Sequence, residues 1–120
     1  MKELISKKIL INFISKEIDS DRDFFADQLK HFNLHLNELR TTAGDPLKMG
    51  FSAHKNRSGC QIFGALKLEL ILRQVEILAK TQNLKELNEQ FQLAVLLIEP
   101  TLSEMKKISE EYFESLQKSG

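Results

Sequence analysis

One histidine in this sequence is set apart by its neighbours. His54 lies in Pro46–Phe63, where Met49, Ala53, Asn56, Cys60 and Phe63 recur in steps of four and three, the period of one helical face. Opposite that stripe, Gly50, His54, Arg57, Ser58 and Gln61 share the other face. No acidic residue occurs between Pro46 and Leu68, whereas Lys48, Lys55, Arg57 and Lys67 are basic. The surface around the ring therefore attracts anions, and an imidazole, mostly neutral near pH 7, offers them a nucleophilic nitrogen. Gly50, Ser52, Ala53, Ser58 and Gly59 keep the surrounding side chains short. A second protein is thus able to approach the ring closely.

The elements that must hold this face follow from punctuation and periodicity. A first helix is expected over about Lys2–Ile18, apolar at Leu4, Ile5, Ile9, Phe13 and Ile14. Ser20 and Asp23 read as a capping box for a second helix carrying Phe25, Leu29, Phe32, Leu36 and Leu39. Gly44 stops it, and Asp45 and Pro46 supply an N-cap and a first helical residue for the third. Gly64 separates the third helix from a fourth, about Ala65–Thr81, that buries Leu68, Leu72, Val75 and Leu78. Asn83 with Glu86 caps a fifth through Leu84, Leu87, Phe91, Ala94 and Leu97. Pro100 is expected to kink or end that helix. A further segment over 101–117 then restarts at Thr101 and Glu104 and carries Met105, Ile108, Tyr112 and Leu116. Short connections between helices of this length favour antiparallel neighbours. The expectation is an all-α fold: an antiparallel up-down four-helix bundle with its core over about 20–100, an additional N-terminal helix (2–18) and a kinked or split C-terminal helix.

Composition bounds the function. The chain has 120 residues, enough for one domain over 1–120. Its 17 basic and 17 acidic side chains cancel, which argues against a nucleic-acid or membrane binder. The single cysteine excludes an internal disulfide framework and a paired-cysteine metal knuckle, and fits a reducing cytoplasm. Cys60 itself falls on the buried stripe and is read as inert. The uncharged run Ile9–Ile14 is six residues long and closed by Lys16 and Glu17, too short for a secretory or membrane-spanning segment. His31 and His35 have the spacing of a helical metal pair but lie opposite the second helix's apolar stripe, so they are read as solvated.

Gly44-Asp45, the nine residues from Asp45 to His54, Ala53-His54-x-x-Arg57-Ser58 and Gly64-Ala65 together resemble the histidine-containing phosphotransfer (HPt) domain family. That family pairs an exposed histidine with Lys or Arg three residues on, a small residue next, and glycine ten residues past the histidine. A Glu or Gln twenty-two residues past it contacts the imidazole, and Glu76 stands there. The resemblance spans about Asp23 to Leu97. Three positions depart from the pattern: Ser58 replaces the usual Gly, Asn56 replaces the usual Leu on the buried stripe, and Lys55 adds a solvated charge next to the histidine. A buried amide costs about 1–3 kcal/mol without partners, so Asn56 is expected to bond a neighbouring helix or sit at the core's edge.

The resemblance implies a phosphocarrier. His54 would accept a phosphoryl group from a receiver-domain aspartate and pass it to another receiver, between a hybrid sensor kinase and a response regulator. Glu76 would orient the imidazole; Arg57, Lys55 and Gln61 would stabilise the phosphoryl group; Gly50 and Ser58 would belong to the receiver-docking face. Magnesium would belong to the receiver, so no metal site or cofactor of the chain's own is implied. No glycine-rich nucleotide loop is present, so the chain is not expected to phosphorylate itself from ATP. Two alternatives share the same residues: a non-catalytic HPt-like adaptor that binds receiver or kinase domains without transfer, and a helical homodimer pairing through Met1–Ile18 in place of a monomer.

Overall fold

The computed structural model describes residues 3–119, and no strand occurs among them. The helices are α1 (Lys7–Asn12), α2 (Arg22–Leu39), α3 (Pro46–Phe63), α4 (Leu66–Leu78) and α5 (Leu84–Ser119). A π turn over Phe13–Glu17 continues α1, and a 3-10 turn over Arg40–Thr42 follows α2. Helix α3 packs along α4, α4 along α5, and α2 against both α3 and α5, while α1 touches α3 and α5. Buried residues from all five helices form one hydrophobic cluster.

Helix α3, which carries His54, is delimited as its residues require. Asp45 accepts the Lys48 N–H at 3.2 Å, and Pro46 occupies the first turn. Its buried residues are Met49, Ala53, Asn56, Cys60 and Phe63, the expected stripe in full. Asn56 is satisfied there: its amide donates to the Ser52 carbonyl at 2.9 Å and to the His35 carbonyl of α2 at 3.3 Å. Phe63 anchors an aromatic cluster, with ring centroids 5.2 Å from Phe13, 6.2 Å from Phe25 and 4.8 Å from Phe32. One residue thereby ties α3 to α2 and to the turn that continues α1.

Three boundaries differ from the sequence reading. The first helix begins at Lys7, capped by Ser6, whose hydroxyl accepts the Ile9 N–H at 3.3 Å; Lys2, the expected start, lies outside the described residues. The wider winding of the π turn aligns residues four apart, so Leu10, Ile14 and Ile18 are buried while Ile9 and Phe13 are only partly so. Ser20 does not cap α2. Asp19 and Ser20 sit in the left-handed region (φ 52° and 55°) as they close the preceding turn, and the Ser20 hydroxyl meets the Tyr112 hydroxyl at 3.0 Å. Asp21 takes the capping role, accepting the Phe24 N–H at 3.0 Å.

The third correction concerns Pro100, which neither ends nor splits α5: the helix runs unbroken through it. Leu87, Phe91, Ala94, Ile98, Thr101, Met105 and Ile108 are buried in one uninterrupted four-three register. This register uses Ile98 where Leu97 was expected and leaves Leu84 and Leu116 exposed. Pro100 is on the outer face, and the carbonyl deprived of its partner belongs to Leu96, itself exposed. On that solvent-facing side water can replace the missing donor, so tertiary packing on the other face carries the helix past the proline. The 36 residues of α5 span about 54 Å at 1.5 Å each, which accounts for the molecule's 56 Å long axis.

Gly64 makes the α3–α4 connection. It adopts φ 77°, while the Ala65 N–H closes on the Cys60 carbonyl at 2.8 Å, a glycine-dependent helix stop. Its carbonyl accepts the Ser6 N–H at 2.8 Å, and a Cβ at Gly64 would stand 2.9 Å from the Ser6 carbonyl oxygen. The N-terminal segment therefore seats directly on the hairpin that presents His54. Replacing Gly64 with Ala combines left-handed strain of about 1–2 kcal/mol with that clash. Urea unfolding of Gly64→Ala is expected to show a loss of about 2 kcal/mol or more; an unchanged midpoint would mean the turn is not constrained.

Candidate functional site

His54 projects from the middle of α3, with its side chain 71% exposed. Glu76, three turns into α4, is 16% exposed, and its Oε1 lies 2.6 Å from His54 Nδ1. An ionised carboxylate only accepts hydrogen bonds, so the contact requires the proton on Nδ1. In the neutral ring Nε2 then carries the lone pair, on the side away from α4. The site therefore presents a nucleophilic nitrogen to solvent, with its tautomer set from behind.

Behind the histidine lies a charged network. Arg57, one turn along α3, donates from NH1 to Glu76 Oε2 at 2.7 Å and from Nε to Glu69 Oε1 at 3.2 Å. Glu69 is 7% exposed and also accepts from Arg73 at 3.0 Å and from Gln61 at 3.4 Å. Two guanidiniums thus balance two carboxylates beneath a protruding imidazole. The Arg57 hydrogen bond is the main cause holding the Glu76 carboxyl below its ordinary range, against partial burial and with help from His54. Burial works to raise the Glu69 carboxyl, but the Arg73 and Arg57 hydrogen bonds outweigh it and hold that group low as well. The same contacts, led by Glu76, raise Arg57 further above its already high value.

The expected site residues separate into two groups. His54 and Glu76 are in direct contact. The donors assigned to a phosphoryl group face carboxylates: Arg57 and Gln61 are turned to Glu69 and Glu76, and Lys55 Nζ lies 3.8 Å from Glu38 of α2. Ser58 is exposed on the His54 face. Gly50 lines a groove of about 320 Å³ beside the imidazole, together with Leu47, Phe51, Ala79 and Lys80. It also permits α3 to approach α4 closely, since a Cβ there would stand 3.0 Å from Ala79 Cβ.

Several members of the site escaped the sequence reading. Leu47 and Phe51 are 71% and 69% exposed and flank the ring; their spacing of seven and three residues before His54 was the signal available. Glu69 and Arg73 are four residues apart on α4, and nothing in that spacing connects them to Arg57. Only the hairpin brings them together.

Other candidates have plain surroundings. Cys60 is buried, and desolvation, with a smaller contribution from Glu69, pushes its thiol up to about 12; it is unreactive at neutral pH. His31 is exposed 3.8 Å from Asp27, and His35 Nδ1 lies 3.7 Å from Glu38. Among the described residues no cluster of three or more His, Cys, Asp or Glu side chains is arranged to hold a metal, and no helix is long and apolar enough to cross a membrane. The chain matches no protein-family model, no curated protein and no solved structure.

The network carries a pH signature. Glu69 and Glu76 have lower folded than unfolded pKa values, so the unfolded chain binds more protons on acidification. Their stabilisation is complete above the unfolded carboxyl value of about 4.3 and is lost as pH falls through the folded values. Urea midpoints should drop between pH 6 and pH 3, and Glu76→Gln should flatten that drop. An equal drop in the variant would show that the ionised Glu76 contacts contribute nothing.

Proposed function

We propose that this chain is a histidine phosphotransfer protein of a multistep two-component phosphorelay, accepting a phosphoryl group on His54 from one receiver-domain aspartate and delivering it to another. The observation that carries this reading is the 2.6 Å contact between Nδ1 of the exposed His54 ring and the largely buried Glu76 carboxylate behind it. In this reading α2 to α5 form an antiparallel up-down four-helix bundle. The packing of α2 against both α3 and α5, and of α4 against the same two helices, supports it. The chain acts as a monomer in the cytoplasm, with receiver domains of a hybrid sensor kinase and a response regulator as partners.

The transfer is chemically spare. His54 Nε2 attacks the phosphorus of the aspartyl phosphate in line, a P–N bond forms, and the P–O bond to the aspartate breaks, releasing its carboxylate. No proton need move, because Nδ1 keeps its hydrogen and the charge gained by the ring lies against Glu76. Transfer onward reverses these bond changes on a second receiver. Leu47 and Phe51, with the short side chains at Gly50 and Ser58, provide the docking face beside the ring, and exposed Lys55 adds positive charge near the incoming phosphoryl group. The chain supplies no nucleotide and performs no ATP-dependent phosphorylation of its own.

A non-catalytic adaptor would use the same face, and the outward apolar pair Leu47 and Phe51 serves that reading equally. Incubation with a phosphorylated receiver separates the two. Relay predicts acid-labile label on the wild-type chain and none on His54→Gln, with both still binding the receiver. Binding without label on the wild type would establish the adaptor. Sedimentation of the full chain tests the homodimer, and a monomer would remove it.

A further inference from the structure

Arg57 stands where the sequence reading placed a phosphoryl ligand, yet its guanidinium is turned inward. Its Nε reaches Glu69 at 3.2 Å and its NH1 reaches Glu76 at 2.7 Å, so one planar group spans two carboxylates two turns apart on α4. Glu69 is the most deeply buried charge in this network, and a single oxygen, Oε1, accepts from Arg57, Arg73 and Gln61. A buried carboxylate with several donors is a fixed point, because releasing any partner leaves uncompensated charge. Glu76, in contrast, is the link to the ring.

We propose that Glu69 is a positioning residue for His54, acting through Arg57: it pins the guanidinium, the guanidinium pins Glu76, and Glu76 keeps the imidazole proton on Nδ1. Arg57 thereby serves the nucleophile's orientation in place of contacting the phosphoryl group. The route is continuous, with three charged hydrogen bonds joining Glu69, Arg57, Glu76 and His54. Arg73 and Gln61 donate to the same Glu69 oxygen. The ring's tautomer is a property of the resting protein, so this inference stands on geometry. Its effect on transfer rate rests on the phosphocarrier reading.

Lysine and arginine differ in the way that tests this. Arg57→Lys keeps the positive charge that a phosphoryl ligand needs, but a single ammonium has no rigid fork to bridge two carboxylates. Long-range ¹H–¹⁵N correlation on the full chain reads the His54 tautomer directly. The wild type should show the Nδ1–H form in at least tenfold excess among neutral rings. Glu69→Gln and Arg57→Lys should both reduce that excess to threefold or less, and the double variant should match the singles, since all three break one chain. His31, remote from the network, serves as the internal control and should not change.

Transfer from a phosphorylated receiver should slow tenfold or more in both single variants. Should Glu69→Gln fail to fold, Arg57→Lys decides the matter alone. A wild-type tautomer excess retained in a folded Glu69→Gln or in Arg57→Lys overturns the proposal. Loss of the tautomer excess with no transfer activity in any variant, wild type included, upholds the positioning role and rejects the phosphocarrier reading.

Discussion

The carboxylate of Glu76 is the point on which the rest of the site turns. One oxygen accepts the His54 Nδ1 hydrogen at 2.6 Å and the other accepts Arg57 at 2.7 Å. A carboxylate with both oxygens occupied has little rotational freedom, so the ring it holds has one orientation and one tautomer. The exposed nitrogen is therefore defined by a group on the opposite side of the imidazole. This division leaves the outer face of the ring open to solvent, and it fixes one tautomer on a surface histidine without burying it.

Such an arrangement depends on two helices lying close and in fixed register. The α3–α4 hairpin meets that need at both ends. Gly64 closes it in a left-handed turn that also receives the N-terminal segment, and Gly50 allows the backbone of α3 to come near Ala79 of α4. Between these points Glu69 and Glu76, two turns apart on one face of α4, bracket Arg57. The aromatic cluster centred on Phe63 then connects the hairpin to α2 and to the turn after α1. The distal half of α5 contributes Phe113, 6.1 Å from Phe25.

Much of this was legible from local pattern. Asp45, Pro46 and Gly64 delimit α3 through backbone requirements that no tertiary context needs to supply, and the stripe Met49 to Phe63 follows from period alone. Even Asn56, an amide among apolar residues, was readable as a buried group in need of partners. What local pattern could not supply was any choice between competing local solutions. Ser20 and Asp21 are both competent caps, and the left-handed closure of the preceding turn decides for Asp21. Pro100 breaks helices on average, but here an unbroken buried register on one face carries α5 through it, with the proline itself on the exposed side. Arg57 faces an anion in either reading. Sequence order does not disclose that the nearest anions are Glu69 and Glu76, twelve and nineteen residues further on.

The central claim is that His54 presents Nε2 as its nucleophile while Nδ1 stays bound to Glu76. Treating the full chain with phosphoramidate, a small phosphoryl donor that needs no partner protein, and reading the product by ³¹P and ¹⁵N correlation tests it most directly. The account predicts a single phosphohistidine, at His54, with phosphorus on Nε2 and hydrogen retained on Nδ1. Phosphorus on Nδ1 of His54, or modification of exposed His31 in preference to His54, would contradict it.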